Sequence, residues 1–193
     1  GLPNRVLFQD RTGQQLAAAR RTGMTVGVLF VDLDDFKVVN DTMGHGVGDE
    51  LIVAAAVRLA GVVRDSDTAA RLGGDEFALL IGNAEDSAAV EAAADRVIQA
   101  FSEPFVLASG TVLATVTVGV ATTQDSTDTD DLLRHADLAL ADAHLARLAT
   151  AGEIERSRRQ GVETRAHLGL ALDRRPHLVR ILARDPEVLE LQH

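Results

Sequence analysis

The 193-residue chain has no cysteine, tryptophan or tyrosine, and its aromatic content rests on six phenylalanines. Without cysteine there is no disulfide framework, no thiolate metal site and no cysteine nucleophile, and a reducing cytoplasm is the expected setting. Positive charge is also scarce: 19 Lys and Arg face 29 Asp and Glu, the formal net charge is -10, and Lys37 is the sole lysine. Nucleic-acid and anionic-membrane surfaces need a basic stripe, so neither partner is expected. A local phosphate site with its own metal ion is compatible with that balance. No apolar run approaches the ~18 residues of a membrane span. The opening Gly1-Leu2-Pro3-Asn4-Arg5 lacks both a basic and an apolar leader region, so a soluble chain without direct membrane contact is expected.

What is present suffices for a buried core, at 46% hydrophobic residues. The charge is uneven. Residues 1–152 hold 11 basic and 22 acidic side chains, and residues 153–193 hold 8 and 7. This suggests a domain over 1–152 and a C-terminal helical tail or linker over 153–193. The tail offers Leu168, Leu170, Leu172, Leu178, Val179, Ile181 and Leu182, with Pro176 and Pro186 as breaks. So much apolar surface is expected to pack on the domain or on a second chain.

Thr25–Leu33 is an almost unbroken β-branched and aromatic run, which predicts a strand buried on both faces, with its acidic end at a sheet edge. Helical spacing is clear over Gly48–Val63 and Ser87–Phe101. Between them, Thr68–Leu72 and Phe77–Ile81 flank Gly73-Gly74-Asp75-Glu76, predicting a hairpin. A second hairpin is predicted from Phe105–Leu107 and Thr111–Ala121 around Ser109-Gly110. A long helix follows over Asp130–Thr150, with Thr129 as N-cap. Helix, strand, helix, helix, hairpin, helix, hairpin, helix is the resulting order. It is most economically an α+β fold, a mostly antiparallel sheet with surrounding helices.

Asp32 and Asp34, two apart at a strand end, project to one side, where paired carboxylates repel unless a cation neutralises them. They read equally well as a solvated acidic edge or as ligands of a hard divalent ion. The Gly73-Gly74-Asp75-Glu76-Phe77 turn adds two acids where glycines permit close backbone approach. It is preceded by Arg71 and Leu72. Between it and Asp32 lie Phe36-Lys37-Val38-Val39-Asn40-Asp41 and Gly44-His45-Gly46-Val47-Gly48-Asp49.

In this order the segments resemble the GGDEF family of diguanylate cyclases, from Gly1-Leu2-Pro3-Asn4-Arg5 to about Ala143. The resemblance implies the palm fold of class III nucleotidyl cyclases and condensation of two GTP into cyclic di-GMP and two pyrophosphates. It implies that Asp32, the Leu33 carbonyl and Asp75 hold Mg2+ or Mn2+. It also implies that Asp75, with Glu76 beside it, faces the attacking 3'-hydroxyl. Asn40 and Asp49 would read guanine, since a carboxylate accepts from both N1-H and the N2 amine. His45 is as readily a loop histidine as a ligand contact. Phe36, through its main-chain amide, and Lys37 would meet the phosphates. Arg64 and Asp67 match the family's RxxD product-inhibition site. A homodimer and an upstream sensory region, membrane-anchoring in some parents, are implied partners. A phosphodiesterase barrel of ~250 residues cannot fit in the tail.

The last helix departs from the pattern. Where the family has Tyr, Lys and Arg, this chain has Ala141, His144 and Leu148; Arg147 is nearby but about a third of a turn away. The family's final strand is also not evident in Glu153–Gln160. Two functions therefore stand: an active cyclase, and a degenerate domain that binds GTP or cyclic di-GMP and signals by contact.

Overall fold

The computed structural model describes residues 1–159, with side chains through Ala149. Of the expected tail over 153–193, residues 153–159 continue the last helix and those from 160 onward lie outside the described residues. Eleven elements follow one another: α1 (Arg5–Thr22), β1 (Thr25–Leu33), α2 (Phe36–Met43), α3 (His45–Val62), β2 (Thr68–Gly73), β3 (Glu76–Ala84), α4 (Ser87–Ala100), β4 (Phe105–Leu107), β5 (Gly110–Val112), β6 (Val116–Thr122) and α5 (Thr129–Arg159). Helix ends follow local chemistry. Asn4 accepts from the Leu7 amide at 3.0 Å to start α1, and Gly23, at φ 72°, ends it. The Asp128 carboxylate accepts from the amides of Asp130 and Asp131, so Asp128 caps α5 and Thr129 is already helical.

The four-stranded sheet has the order β2-β3-β1-β6, every pair antiparallel. The expected α+β architecture is therefore present. Two expectations need correction. The acidic end of β1 is not on an edge strand, because β1 is hydrogen-bonded to β3 and β6 on both sides. The second hairpin is also shorter than expected. Only Gly110–Val112 pairs with β4, in a separate two-stranded sheet, and Val116–Thr122 joins β1. The switch follows from Asp34, whose amide and carboxylate both bond to Thr115. Every residue of β6 is buried, as expected of a strand covered on both faces, here by α4 and α5.

Alternation along β1 divides the core. Leu29, Val31 and Leu33 join the layer of α3 and α4, while Val28 and Phe30 join that of α1 and α5. Asp32 continues the second set, at the end of the strand beneath α5. Arg58 ties α3 to the α4–β4 connection: its guanidinium lies 3.4 Å from the Phe105 ring centroid and bonds to the carbonyls of Ala100, Glu103 and Pro104.

The placement of α5 depends on Gly119. A Cβ there would overlap the Leu140 amide and the Ala136 carbonyl, atoms of the helix backbone itself. The helix thus lies directly on β6. We expect Gly119→Ala to destabilise the fold by about 1–3 kcal/mol, the usual cost of overpacking. Urea unfolding would check it, and an unchanged midpoint would mean that α5 sits less closely than described.

Candidate functional site

The end of β1 and the β2–β3 turn form one corner. Asp32 pairs with Glu76 across the strands, and the Leu33 amide donates to the Asp75 carbonyl at 3.4 Å. Gly74 and Asp75 make the two-residue loop, with Gly74 at φ 51°, a conformation that disfavours other residues. Arg71 clamps the loop: its Nε and Nη2 donate to the Gly74 carbonyl at 3.0 and 2.7 Å. Asp75 is half-buried near Asp32, while Glu76 is exposed and pairs with Arg5 at 3.5 Å. A cavity of about 410 Å³ between α1 and α5 opens beside Glu76, floored by Phe8, Phe30, Leu133 and Leu140; Glu76 is its one contact with the predicted site.

Asp32 and Asp34 are not the equivalent pair that their spacing suggests. Asp34 is buried, and its two oxygens accept from Thr115 and Thr117 hydroxyls at 2.6 Å each. It anchors β1 to β6, with both oxygens taken up. Asp35 takes φ 56°, tolerable for Asp, and starts α2. From α5, His144 Nε2 lies 3.3 Å from Asp32 Oδ2, and Arg147 spans Asp34 and Asp35. Asp32 lacks the hydroxyl donors of Asp34. Burial, joined by the charges of Asp75, Asp34 and Glu76 and opposed by Arg147, pushes its carboxyl from 3.8 up to about 7.

This donor set can be tested against a divalent cation. Among the described residues no three His, Asp or Glu side chains converge on a ready-made cage. The open donors are two carboxylates, Asp32 and Asp75, with the Leu33 carbonyl at the same strand end. Mg2+ characteristically uses one or two carboxylates and completes its shell with substrate phosphates and water. Oxygen donors and an uncompensated carboxyl therefore fit such an ion.

The predicted base readers lie at the α2–α3 corner. Asn40, half-buried on the last turn of α2, packs so closely on Gly48 that a Cβ there would overlap its Oδ1. Gly44, at φ 91°, turns the chain between the helices, and its amide donates to the Asn40 carbonyl. Asp49 and His45 are exposed on the first turns of α3. Phe36 is half-buried and Lys37 exposed at the start of α2, next to the acidic corner.

Arg64 and Asp67 stand apart, in the α3–β2 connection. Asp67 is already engaged: Oδ2 accepts from the Arg64 amide at 3.0 Å, and Oδ1 from the Gly82 amide at 3.2 Å. Its position in RxxD thus has a turn-forming role that the motif did not reveal. The Arg64 side chain is exposed. Also missed from sequence were the Arg71 clamp, the threonine anchors and the contacts of Arg147. The threonines had a signal in their alternation along the strand, but their partner did not.

The central strand of the sheet thus ends in acids beside an acidic Gly-Gly turn, with a helix laid across it. Comparison with known proteins identifies the family. Residues 1–148 match the family described as diguanylate cyclase, GGDEF domain, and the chain belongs to it. It is 40% identical over 141 residues to diguanylate cyclase TpbB of Pseudomonas aeruginosa, covering 72% of this chain and 32% of that protein. The chain thus spans about a third of that curated relative. The crystal structure of the TpbB GGDEF domain superposes with a TM-score of 0.72 at 39% identity, covering 74% of this chain and 90% of that one. The GGDEF domain of DgcB from Caulobacter crescentus, in complex with c-di-GMP, gives 0.68 at 28% identity, covering 75% and 86%.

The raised Asp32 value sets a pH dependence. Asp32 keeps a proton in the folded protein that it releases near 3.8 in the unfolded chain, so its contribution to stability is fully present below that value and is lost as the pH rises to about 7. Without divalent ions, Asp32→Asn should therefore melt several degrees above wild type near pH 8, with the gap closing toward pH 4. A lower melting temperature at pH 8 would contradict an uncompensated carboxylate.

Proposed function

We propose that this domain condenses two GTP molecules into cyclic di-GMP, releasing two pyrophosphates, as a metal-dependent homodimer. The observation that carries the reading is the juxtaposition of Asp32, the Leu33 strand end and Asp75 at one corner, where burial first and the neighbouring carboxylates second push the Asp32 carboxyl up to about 7. When bound, Mg2+ or Mn2+ at Asp32, the Leu33 carbonyl and Asp75 supplies the charge neutralisation that a triphosphate needs in an acidic corner.

The protein's own groups divide the remaining work. Asp49 accepts from guanine N1-H and the N2 amine, and Asn40 adds a donor and an acceptor at the same corner; adenine, with an acceptor at N1, lacks the match. The free amides at the start of α2, Phe36 and Lys37 among them, and the Lys37 ammonium receive phosphate oxygens. Asp75 accepts the proton of the 3'-hydroxyl, with Glu76 held beside it by Arg5. The 3'-oxygen attacks the α-phosphorus of the second nucleotide, the bond to the β-phosphate breaks, and pyrophosphate leaves. Among the described residues each chain has a single such site, so two chains face each other to join two nucleotides. Arg64, with an exposed fork suited to phosphate and guanine, and the adjoining Asp67 form a product site for feedback inhibition. The matched region is about a third of TpbB, which is consistent with a sensory region accompanying the cyclase domain in a longer protein.

A second reading is a domain that binds these nucleotides and signals without turnover. It is favoured by α5, where His144 and Leu148 stand in place of the family's cations, and by the exposed, apolar Leu148. Incubating the purified dimer with GTP and Mg2+ or Mn2+, followed by nucleotide chromatography, separates the two. We expect cyclic di-GMP from wild type and none from Asp75→Asn, with the variant's melting temperature preserved. A demonstrated dimer that binds GTP yet yields no product would establish the second reading.

A further inference from the structure

Arg147 makes contacts that a structural role accounts for poorly. Its Nη1 lies 3.2 Å and its Nη2 3.5 Å from the Asp35 carboxylate. Its Nε lies 3.5 Å from Asp34 Oδ1, yet is buried with no hydrogen-bond partner. Asp34 does not need this cation for hydrogen bonding, because Thr115 and Thr117 already donate to both of its oxygens. Asp35 has a side chain 67% exposed, where water and salt leave an ion pair little net worth. A guanidinium is thus kept at the rim of the acidic corner, one nitrogen unsatisfied and the other two held by an easily exchanged partner.

Its surroundings indicate what it awaits. Asp32, Asp34, Asp35 and Asp75 share this corner, and Arg147 is the cation whose charge is felt at Asp32. The other nearby arginines are occupied, Arg71 with the Gly74 carbonyl and Arg5 with Glu76. Asp35 immediately precedes α2, whose first amides have no intrahelical acceptor. On the same stretch of α5, Leu148 offers no charge. Burial disfavours a charged Arg147, but the hydrogen bond with Asp35 and the charges of Asp34, Asp35 and Asp32 outweigh it, and the group stays cationic.

We propose that Arg147 receives the terminal phosphates of the nucleoside triphosphate, exchanging Asp35 for phosphate oxygens while Asp34 keeps the guanidinium aimed. The assignment rests on the reading of this corner as a GTP site. It gives the site a planar, permanently charged fork matched to phosphate geometry, supplied from a helical position one residue before Leu148.

Calorimetric titration with a non-reactive GTP analogue and with GMP, both with Mg2+, tests it. R147Q should weaken triphosphate binding by about tenfold or more, the loss of a charged hydrogen-bonding partner, and leave GMP within about twofold. R147K, which keeps the charge but loses the fork, should fall between. D35N tolerates the positive φ and removes the competing carboxylate, so it should bind the analogue as tightly as wild type or more so. Should R147Q not fold, the opposite directions of R147K and D35N decide the same question. An unchanged ratio of triphosphate to GMP affinity in R147Q or R147K would overturn the assignment. So would a loss in D35N as large as in R147Q, which would make the pair a brace for the corner. Wild-type protein that binds neither nucleotide would overturn the GTP reading itself, and this proposal with it.

Discussion

The burial of Asp32 among other carboxylates at the end of β1 is the constraint around which this domain is arranged. Asp32, Asp34, Asp35, Asp75 and Glu76 meet where a central strand leaves the sheet, and the chain handles each differently. Asp34 is held by two threonine hydroxyls from β6 and the residue before it, Asp35 by Arg147, and Glu76 by Arg5. Asp32 is left with an imidazole at 3.3 Å and a carboxyl pushed up to about 7. A carboxylate kept in such surroundings is costly to stability and suited to a cation, which is the usual sign of a functional position.

The rest of the fold can be understood as support for that corner. The Arg71 clamp and the left-handed Gly74 set the turn that carries Asp75. The absence of a side chain at Gly119 lets α5 lie against β6, which brings His144 and Arg147 over the acids. On the other side, Gly44 and Gly48 allow α2 and α3 to fold back so that Asn40 and Asp49 share a corner. Local backbone freedom at a few glycines thus places side chains that are far apart in sequence.

Much of this is legible in the amino-acid sequence. Hydrophobic periodicity locates α3, α4 and β1, and the Gly-Gly-acid-acid turn locates the hairpin, because those signals are local. The correct family follows from several motifs in order. What is not legible depends on partners distant in sequence. By spacing alone Asp34 is a twin of Asp32; the difference comes from Thr115 and Thr117, more than eighty residues away, which take up its oxygens. That same pairing divides the run from Thr111 to Ala121 between two sheets, where alternation alone suggests one strand. Helical geometry turns Arg147 away from the family direction, yet the length of its side chain carries the guanidinium to Asp34 and Asp35.

Asp32, the Leu33 carbonyl and Asp75 are thus proposed as the cation site of a triphosphate-processing corner, with Asp34 reserved for structure. Anomalous diffraction from crystals grown with Mn2+ and a non-reactive GTP analogue addresses this most directly. We predict an anomalous peak within oxygen-ligand distance of those three donors and the analogue's phosphates, with Asp34 still bonded to its threonines. A peak on Asp34, or nucleotide bound with no Mn2+ at Asp32 and Asp75, would contradict it.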